Sequence, residues 1–245
     1  MNGRIPYYDR DGITIWHADC LDIIDTLPVP IDAVVMDPPY ASGTRTEASK
    51  NSSGAMLRGG RWANNPIQND QMTTAGFVWL MREVALRVRD KLTDGGAVLS
   101  FIDWRQWPHL VGALESANLR LNAQIVWDKC SFGMGNGYRG QHELVVFASK
   151  GTPNVHDRSV GTVLRHKRVP YDDHPSPKPI GLMRDLIRVV VPPGGTILDP
   201  FMGSGSTLVA AHGLGVRAIG IEVEETYCRL AVNRLAQPSM FQEAV

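Results

Sequence analysis

The chain has 245 residues, of which 43% are hydrophobic, and its 25 Lys and Arg are balanced by 25 Asp and Glu. This length and composition predict one globular domain and exclude wholesale disorder, because disordered chains have fewer apolar residues and a larger net charge. The zero net charge excludes a uniformly basic coat for nucleic acid but leaves a local basic patch open.

The three cysteines, Cys20, Cys130 and Cys228, form no Cys-x-x-Cys pair, and one of them must stay unpaired. Neither a disulfide framework nor a zinc knuckle is therefore expected, so the sequence predicts no metal and favours a reducing cytoplasm. No stretch approaches the roughly 18 consecutive apolar residues of a membrane span, so no membrane partner is expected.

Short apolar runs alternate with helical patterns along most of the chain. Strands are predicted at 13–16, 32–36, 97–102, 121–127, 143–148, 196–198 and 217–223. Helices are predicted at 21–27, 73–92, 108–117, 179–191, 206–213 and 225–236. Gly95 and Gly96 are expected to end the long helix. This alternation predicts a mostly parallel sheet flanked by helices on both faces.

Two segments interrupt the alternation. Residues 41–71 are rich in Gly, Ser and Asn. A loop of about 30 residues inside a compact domain usually has a function, so a mobile functional loop is predicted there. The basic stretch 149–173 is predicted to be irregular.

The tetrapeptide Asp37-Pro38-Pro39-Tyr40 directly follows a predicted strand. Open α/β sheets bind their ligands at this end of the strands. The two prolines lack N–H donors, so a carboxylate, free carbonyl oxygens and an aromatic ring come together. This set suits an exocyclic amino group, which needs acceptors, on a base that needs a stacking partner. A simple turn after the strand is the structural alternative.

A glycine-rich turn follows the strand 196–198 and opens a helix; it reads Asp199-Pro200-Phe201-Met202-Gly203-Ser204-Gly205-Ser206. Its glycines let backbone amides approach a ligand, and a helix N-terminus favours a negative group. The run lacks the Lys of a Walker loop, and Leu208 stands where a dinucleotide fingerprint needs a small residue. A purely structural turn therefore stays open.

Two carboxylates at other strand ends point to a nucleoside ligand. Glu222 ends a strand about 20 residues after the glycine-rich turn and is suited to binding ribose hydroxyls. Asp19 ends the first predicted strand and is suited to accept a hydrogen bond from an adenine amino group. An N-cap for the following helix is an equally good local interpretation of Asp19.

Together these motifs resemble the DNA amino-methyltransferases that use S-adenosylmethionine (SAM), specifically the β group, in which the catalytic motif precedes the cofactor motif. The matching pieces follow the family's order over nearly the whole chain: 17–20 (HADC), 37–40 (DPPY), 95–96 (GG), 139–143 (RGQHE), 174–179 (HPSPKP), 199–205 (DPFMGSG) and 220–222 (GIE). The resemblance implies a Rossmann-like SAM-dependent methyltransferase fold with permuted motif order. It also implies a single domain, 1–245, with SAM as its cofactor.

The resemblance implies catalytic roles for the tetrapeptide. Asp37 and the carbonyl of Pro38, in the stiff turn with Pro39, would accept the hydrogens of the target amino group. Tyr40 would stack on a base flipped out of double-stranded DNA.

The resemblance likewise implies which residues bind the cofactor. Glu222 would bind the SAM ribose, Asp19 and the Cys20 backbone its adenine, and Lys178 its carboxylate. Further cofactor contacts are expected from Asp37, Asp199, Pro200, Phe201, Gly203, Ser204, Gly205 and Ser206.

Adenine N6 is the favoured target, because in the family Asp at the first tetrapeptide position goes more often with adenine and Ser with cytosine N4. A cytosine-N4 enzyme of the same fold is the nearest alternative. Cytosine C5 chemistry is disfavoured, since in that family the thiol nucleophile just follows a proline and none of the three cysteines does. A non-catalytic nucleotide- and DNA-binding module and an NAD-linked Rossmann enzyme are the alternatives from other classes.

Two concentrations of cations are predicted to bind DNA phosphates, one in the 41–71 loop and one in the 149–173 segment, with solvated surface loops as the alternative. The residues are Arg45, Lys50, Arg58, Arg61, Arg158, Arg165, Lys167 and Arg168. Trp62 is either a wedge in the DNA or an ordinary packing residue. Only about 25 residues are left for target recognition in 149–173. Recognition is therefore expected to be short, to be shared with the 41–71 loop, or to be completed by a second subunit in a homodimer or higher homo-oligomer. Three tryptophans are candidates for that interface or for the core: Trp104, Trp107 and Trp127.

Overall fold

A computed structural model describes residues 5–28, 30–41, 72–133, 137–169 and 177–237. The strands are β1 (Tyr8–Arg10), β2 (Ile13–His17), β3 (Ile31–Met36), β4 (Leu92–Ile102), β5 (Arg120–Asp128), β6 (His142–Ser149), β7 (Val163–Arg165), β8 (Thr196–Asp199) and β9 (Arg217–Glu222). The helices are α1 (Cys20–Ile23), which continues as a 3-10 turn (Ile24–Thr26), α2 (Thr74–Lys91), α3 (Trp107–Ser116), α4 (Ile180–Val190), α5 (Ser206–Gly213) and α6 (Glu225–Leu235). Among these helices, none is long and apolar enough to cross a membrane.

The strands form a nine-stranded sheet in the order β1-β2-β9-β8-β3-β4-β6-β5-β7. Neighbours from β2 to β4 are parallel, whereas β6 runs antiparallel to both β4 and β5. β3 is apolar and buried along nearly its whole length, as expected for a parallel strand with helices on both faces. The predicted mostly parallel α/β sheet is confirmed.

Helices cover both faces of this sheet. On one face, α4 buries Met183, Leu186 and Ile187 against the strands, next to α5 and α6. On the other face, α2 buries Phe77 and Met81, next to α1 and α3. With both faces covered, the strand ends are the part of the sheet left open for a ligand.

Gly95 and Gly96 do not end the long helix, contrary to the prediction. α2 ends at Lys91 and β4 begins at the next residue, so both glycines lie inside the strand, where the pairing of β3 with β4 shifts register. Gly95 has a φ of +80°, its N–H donates to the Lys150 carbonyl, and a Cβ there would lie 2.7 Å from Asn154. Glycine is therefore required by an irregularity in the sheet rather than by a helix end.

The two edge strands also differ from the prediction. β1 pairs antiparallel with β2, and β7 pairs parallel with β5. Because β7 lies within 149–173, that segment is not irregular throughout. A strand of three residues is too short to produce a readable alternation, so neither strand is evident from the sequence pattern.

Candidate active site

A cavity of about 360 Å³ opens at the carboxyl ends of the parallel strands. Asp37 follows β3, Asp199 ends β8, Glu222 ends β9 and Asp19 comes just after β2, and all four side chains line the cavity. Chain topology thus brings the tetrapeptide and the glycine-rich turn together, although they are far apart in the sequence.

Most of the residues predicted to form the site line this cavity. They are Asp19, Cys20, Asp37, Pro38, Pro39, Tyr40, Lys178, Asp199, Pro200, Phe201, Gly203, Ser204, Ser206 and Glu222. Gly205 is not among them. It precedes α5 with a φ of +79°, and a Cβ there would lie 2.7 Å from the Cβ of Ala231. Gly205 therefore permits the close packing of α6 on the turn.

The Asp37 carboxylate is held from both sides. The Tyr40 hydroxyl donates a hydrogen bond to its Oδ1, and Lys178 Nζ lies 2.5 Å from its Oδ2. The buried Lys178 ammonium also lies 3.3 Å from Glu143 Oε2, so the group expected at a cofactor carboxylate is engaged here by two acidic side chains. Burial disfavours the Lys178 ammonium, but Asp37 and Glu143 outweigh burial and raise its pKa. Burial and the Asp37 charge raise the pKa of Tyr40, which keeps its hydroxyl protonated.

The backbone after the tetrapeptide is fixed by a buried glutamine. Ala41 has a φ of +50°, a left-handed conformation that is uncommon for a residue with a side chain. Gln106 donates from Nε2 to the Ala41 carbonyl at 3.0 Å, and its own N–H donates to Asp103 Oδ1 at 2.9 Å. Gln106 therefore fixes the chain direction immediately after Tyr40.

Glu222 is held by two backbone amides. Its Oε2 accepts from Gly203 N at 2.9 Å, and its Oε1 accepts from Glu224 N at 2.8 Å. Burial raises the pKa of Glu222 despite these hydrogen bonds. Each carboxylate oxygen retains a second lone pair, with which it can accept from a ligand hydroxyl.

Asp199 is buried and has two partners. Its Oδ1 accepts from Phe201 N at 3.0 Å, and its Oδ2 accepts from the Thr207 hydroxyl at 2.5 Å. Burial raises the pKa of Asp199 to about 7, because these two neutral donors only partly replace the water that the carboxylate has lost. Asp199 therefore lies in an environment that a cationic ligand would complement.

Asp19 caps a helix, and the cysteines form no disulfide. Asp19 is the N-cap of α1, since its Oδ1 accepts from Leu21 N at 2.9 Å. All three cysteines are free. Burial raises the pKa of the Cys20 and Cys228 thiols to about 12, which keeps both protonated near neutral pH. Neither supplies a thiolate nucleophile there, whereas Cys130 is exposed.

Several residues that support the site are not evident from the sequence. Arg234 of α6 donates from Nη1 to the Ser204 carbonyl at 2.8 Å and to the Ser204 and Ser206 hydroxyls at 2.9 and 3.2 Å. Thr207 and Gln106, described above, bind the chain next to the motifs. No local pattern identifies these three, because their partners are brought to them by the fold.

The predicted basic residues do not form one group. Arg165, Lys167 and Arg168 are exposed and come at or after the end of β7, on the same sheet edge as the cavity. Arg158 instead follows Asp157, which pairs at 3.4 Å with Arg188 in the last turn of α4, toward the opposite edge. Four predicted cations and Trp62 lie outside the described residues; the cations are Arg45, Lys50, Arg58 and Arg61.

The three tryptophans proposed for an interface also differ from one another. Trp127 is buried in the core and donates from its indole to the His166 carbonyl at 2.8 Å, so it does not belong to an exposed surface. Trp107 is half-buried, and Trp104 is 68% exposed.

Comparison with known proteins identifies the family. The family model described as DNA methylase, which covers N6 and N4 methyltransferases, matches residues 31–233. The DNA adenine methyltransferase YhdJ of Escherichia coli (strain K12) is 35% identical over 268 residues, covering 93% of this chain and 84% of YhdJ. The structure of the M1.HpyAVI–SAM complex is 23% identical with a TM-score of 0.67, covering 91% of this chain and 99% of that one. The cytosine-N4-specific PvuII DNA methyltransferase is 15% identical with a TM-score of 0.77, covering 98% and 94%. Both structures share the fold, and the chain belongs to the DNA methylase family, the SAM-dependent N6/N4 DNA methyltransferases.

Proposed function

We propose that the protein methylates the N6 amino group of adenine in double-stranded DNA, after the base has been flipped out of the duplex into the cavity. The observation that carries this proposal is the Asp37 carboxylate at the end of β3, in one cavity with Pro38 and Tyr40. The choice of adenine is supported by the relative YhdJ, whose name gives adenine as its target and which is 35% identical to this chain.

The tetrapeptide is suited to activate an amino group that is otherwise a poor nucleophile. An aromatic amino nitrogen is a poor nucleophile, because its lone pair is delocalised into the ring. Acceptors at both amino hydrogens favour a tetrahedral nitrogen with an available lone pair. Asp37 accepts one hydrogen through Oδ1, where the Tyr40 hydroxyl donates now, and the Pro38 carbonyl accepts the other. Stacking on the Tyr40 ring offsets part of the few kcal/mol that base flipping costs.

SAM, when bound, supplies a methyl group whose bond to sulfur breaks, with the electron pair left on sulfur, as the bond to the amino nitrogen forms. The nitrogen then loses one proton, and Asp37, hydrogen-bonded to that nitrogen, accepts it. Asp37 need not be a strong base, because the methylated cationic nitrogen is far more acidic than the free amino group. Orientation of the reacting atoms supplies much of the rate acceleration.

The β8–β9 end of the cavity has the donor and acceptor set that SAM requires. SAM presents ribose hydroxyls, an adenine amino group and an ammonium group, all of which need acceptors. We assign Glu222 to the ribose, Asp19 to the adenine amino group and Asp199 to the ammonium group, whose positive charge suits a buried acid with a pKa of about 7. Phe201 offers an apolar face to the adenine ring, and Lys178 keeps a third N–H donor for the carboxylate.

Contact with DNA phosphates is assigned to Arg165, Lys167 and Arg168, because these exposed side chains lie on the same sheet edge as the cavity. Such contacts supply affinity but carry no sequence information. DNA contacts of Arg158 and of the cations within 41–71 stay predictions from the sequence. The same holds for a second subunit.

The base can be identified directly. Unmethylated DNA is incubated with the full chain and SAM, digested to nucleosides and analysed by mass spectrometry. We expect N6-methyladenine and no N4-methylcytosine. N4-methylcytosine without N6-methyladenine would contradict the choice of base, and the absence of any methylated nucleoside from DNA of varied sequence would contradict the activity itself.

A further inference from the structure

A chain of alternating charges leads from Asp37 to the hairpin of β5 and β6. Lys178 Nζ lies 2.5 Å from Asp37 Oδ2 and 3.3 Å from Glu143 Oε2. Lys129, just after β5, donates to the other Glu143 oxygen, Oε1. The two lysines are buried, and two negative and two positive charges make the group neutral. Methyl transfer as described above uses Asp37, but it gives no role to Glu143 or Lys129.

Stability alone is a weak reason for such a group. Removing ions from water costs several kcal/mol each, and apolar residues of similar volume often stabilise a protein as well as a buried ion pair. Here the successive ion pairs fix the position of one group, the Lys178 ammonium beside Asp37. The Lys178 ammonium is held between two carboxylates and lies 4.9 Å from the centre of the Phe101 ring, so its position is defined from several sides.

Glu143 is the residue that fixes the far side of Lys178. It is half-buried in β6 and lies next to the buried Leu144, which pairs with Ile102 at the carboxyl end of β4. Burial opposes ionisation of Glu143, but the Lys178 and Lys129 ammonium groups outweigh burial and hold its pKa below the usual value. Glu143 is therefore a permanent negative charge at a fixed point of the sheet.

We propose that Glu143 is a positioning residue for methyl transfer: it holds the Lys178 ammonium against Asp37 Oδ2, so that Oδ1 points at the target amino group. Lys129 balances the charge of Glu143 and supports its burial. This inference rests on the proposed role of Asp37 as the acceptor of the amino hydrogens, but not on which base carries the amino group.

The test compares three variants of the full chain by methyl incorporation into DNA, SAM affinity and thermal unfolding. Glu143→Gln keeps the side-chain size but removes the charge that holds Lys178. We expect its kcat to fall roughly tenfold to a hundredfold, because a small misplacement of a reacting group has effects of that size. SAM affinity should change less than kcat, because Glu222, Asp199 and Asp19 are unchanged and Lys178 keeps its charge. The substitution also leaves Lys129 buried without its partner, so Tm falls.

The other two variants separate positioning from stability. Glu143→Gln with Lys129→Met restores charge balance, so Tm recovers while kcat stays low. Lys129→Met alone leaves the ion pair between Glu143 and Lys178 intact, so kcat falls less than in Glu143→Gln. Tm falls because Glu143 loses the Lys129 ammonium. Glu83→Gln is the matched control: it removes a carboxylate from an ion pair with Arg87 on α2, 2.7 Å apart, and its kcat should match that of the unmodified chain.

Two outcomes overturn the proposal: a normal kcat in the charge-balanced double variant, or a kcat that follows Tm across the three variants. Asp37→Ala separates this failure from failure of the proposed function. If Asp37→Ala is inactive while the double variant is fully active, the positioning role is wrong and the acceptor role stands. If Asp37→Ala methylates DNA as fast as the unmodified chain, the acceptor role is wrong.

Discussion

The target end and the cofactor end of the cavity both hold partly or fully buried carboxylates, but their partners differ. At the target end, Asp37 and Glu143 face the ammonium groups of Lys178 and Lys129. At the cofactor end, Asp199 and Glu222 accept from backbone N–H groups and, for Asp199, from a hydroxyl. The first set is paired with cations of the protein, whereas the second set has only neutral donors among these partners.

The pKa values follow this difference. Burial raises the pKa of Asp199 to about 7 and also raises that of Glu222. For Glu143, burial acts in the same direction, but two ammonium groups reverse the result and lower the pKa. The protein's own ammonium groups thus favour ionisation of Glu143, while donors on a bound ligand would favour ionisation of the acids at the cofactor end.

The largest effect is expected at the target end. Asp37→Ala removes the acceptor for the amino hydrogens, and we expect methyl transfer to fall by at least roughly 10²-fold, the usual cost of losing one group that stabilises a transition state. SAM binding should remain, because Glu222 and Asp199 are unchanged and Glu143 still compensates the charge of Lys178. Methyl incorporation and calorimetry with SAM measure the two quantities. Loss of SAM binding together with activity would show that the two ends do not act separately.

The complementary change is Glu222→Gln at the cofactor end. The Gln side chain presents an NH₂ group to one of the two backbone N–H donors, so one hydrogen bond to the protein is lost and the ribose loses a charged acceptor. A hydrogen bond to a charged group contributes about 1.5–3 kcal/mol, so Kd for SAM should rise roughly tenfold to a hundredfold. At saturating SAM, kcat should change much less. Glu225→Gln, at an exposed position that begins α6, is the control and should bind SAM normally.

The order of the core elements could be predicted from the sequence, because long buried strands and amphipathic helices have distinct periodicities. The edge strands β1 and β7 could not, since three residues carry no period. The prediction for Gly95 and Gly96 is wrong for a related reason. A glycine indicates that the backbone needs conformational freedom there, but not whether a helix end or a sheet irregularity creates that need.

Of the candidate site, only the residues at the ends of strands could be predicted from the sequence. Asp37 and Glu222 follow from that rule, because parallel strands bring their carboxyl ends to one edge. The partners of these residues do not, since Lys178 reaches Asp37, and Glu143 reaches Lys178, from distant parts of the chain. Sequence proximity was also misleading for Arg158, which is close to Arg165 in the chain but lies toward the other edge of the sheet.

The cofactor end should also affect the pH dependence of stability when no ligand is bound. The unfolded chain ionises Asp199 at its ordinary pKa near 4, whereas the folded protein keeps it protonated up to about pH 7. Between these values the folded state binds more protons than the unfolded state, so this group lowers the free energy of unfolding as pH rises from about 4 to about 7. The full change is on the order of 4 kcal/mol. Asp199→Asn cannot titrate and should lack this contribution. Urea unfolding of both proteins across this range should therefore show the variant gaining stability relative to the unmodified chain as pH rises, and a difference that is independent of pH would contradict the assigned protonation state.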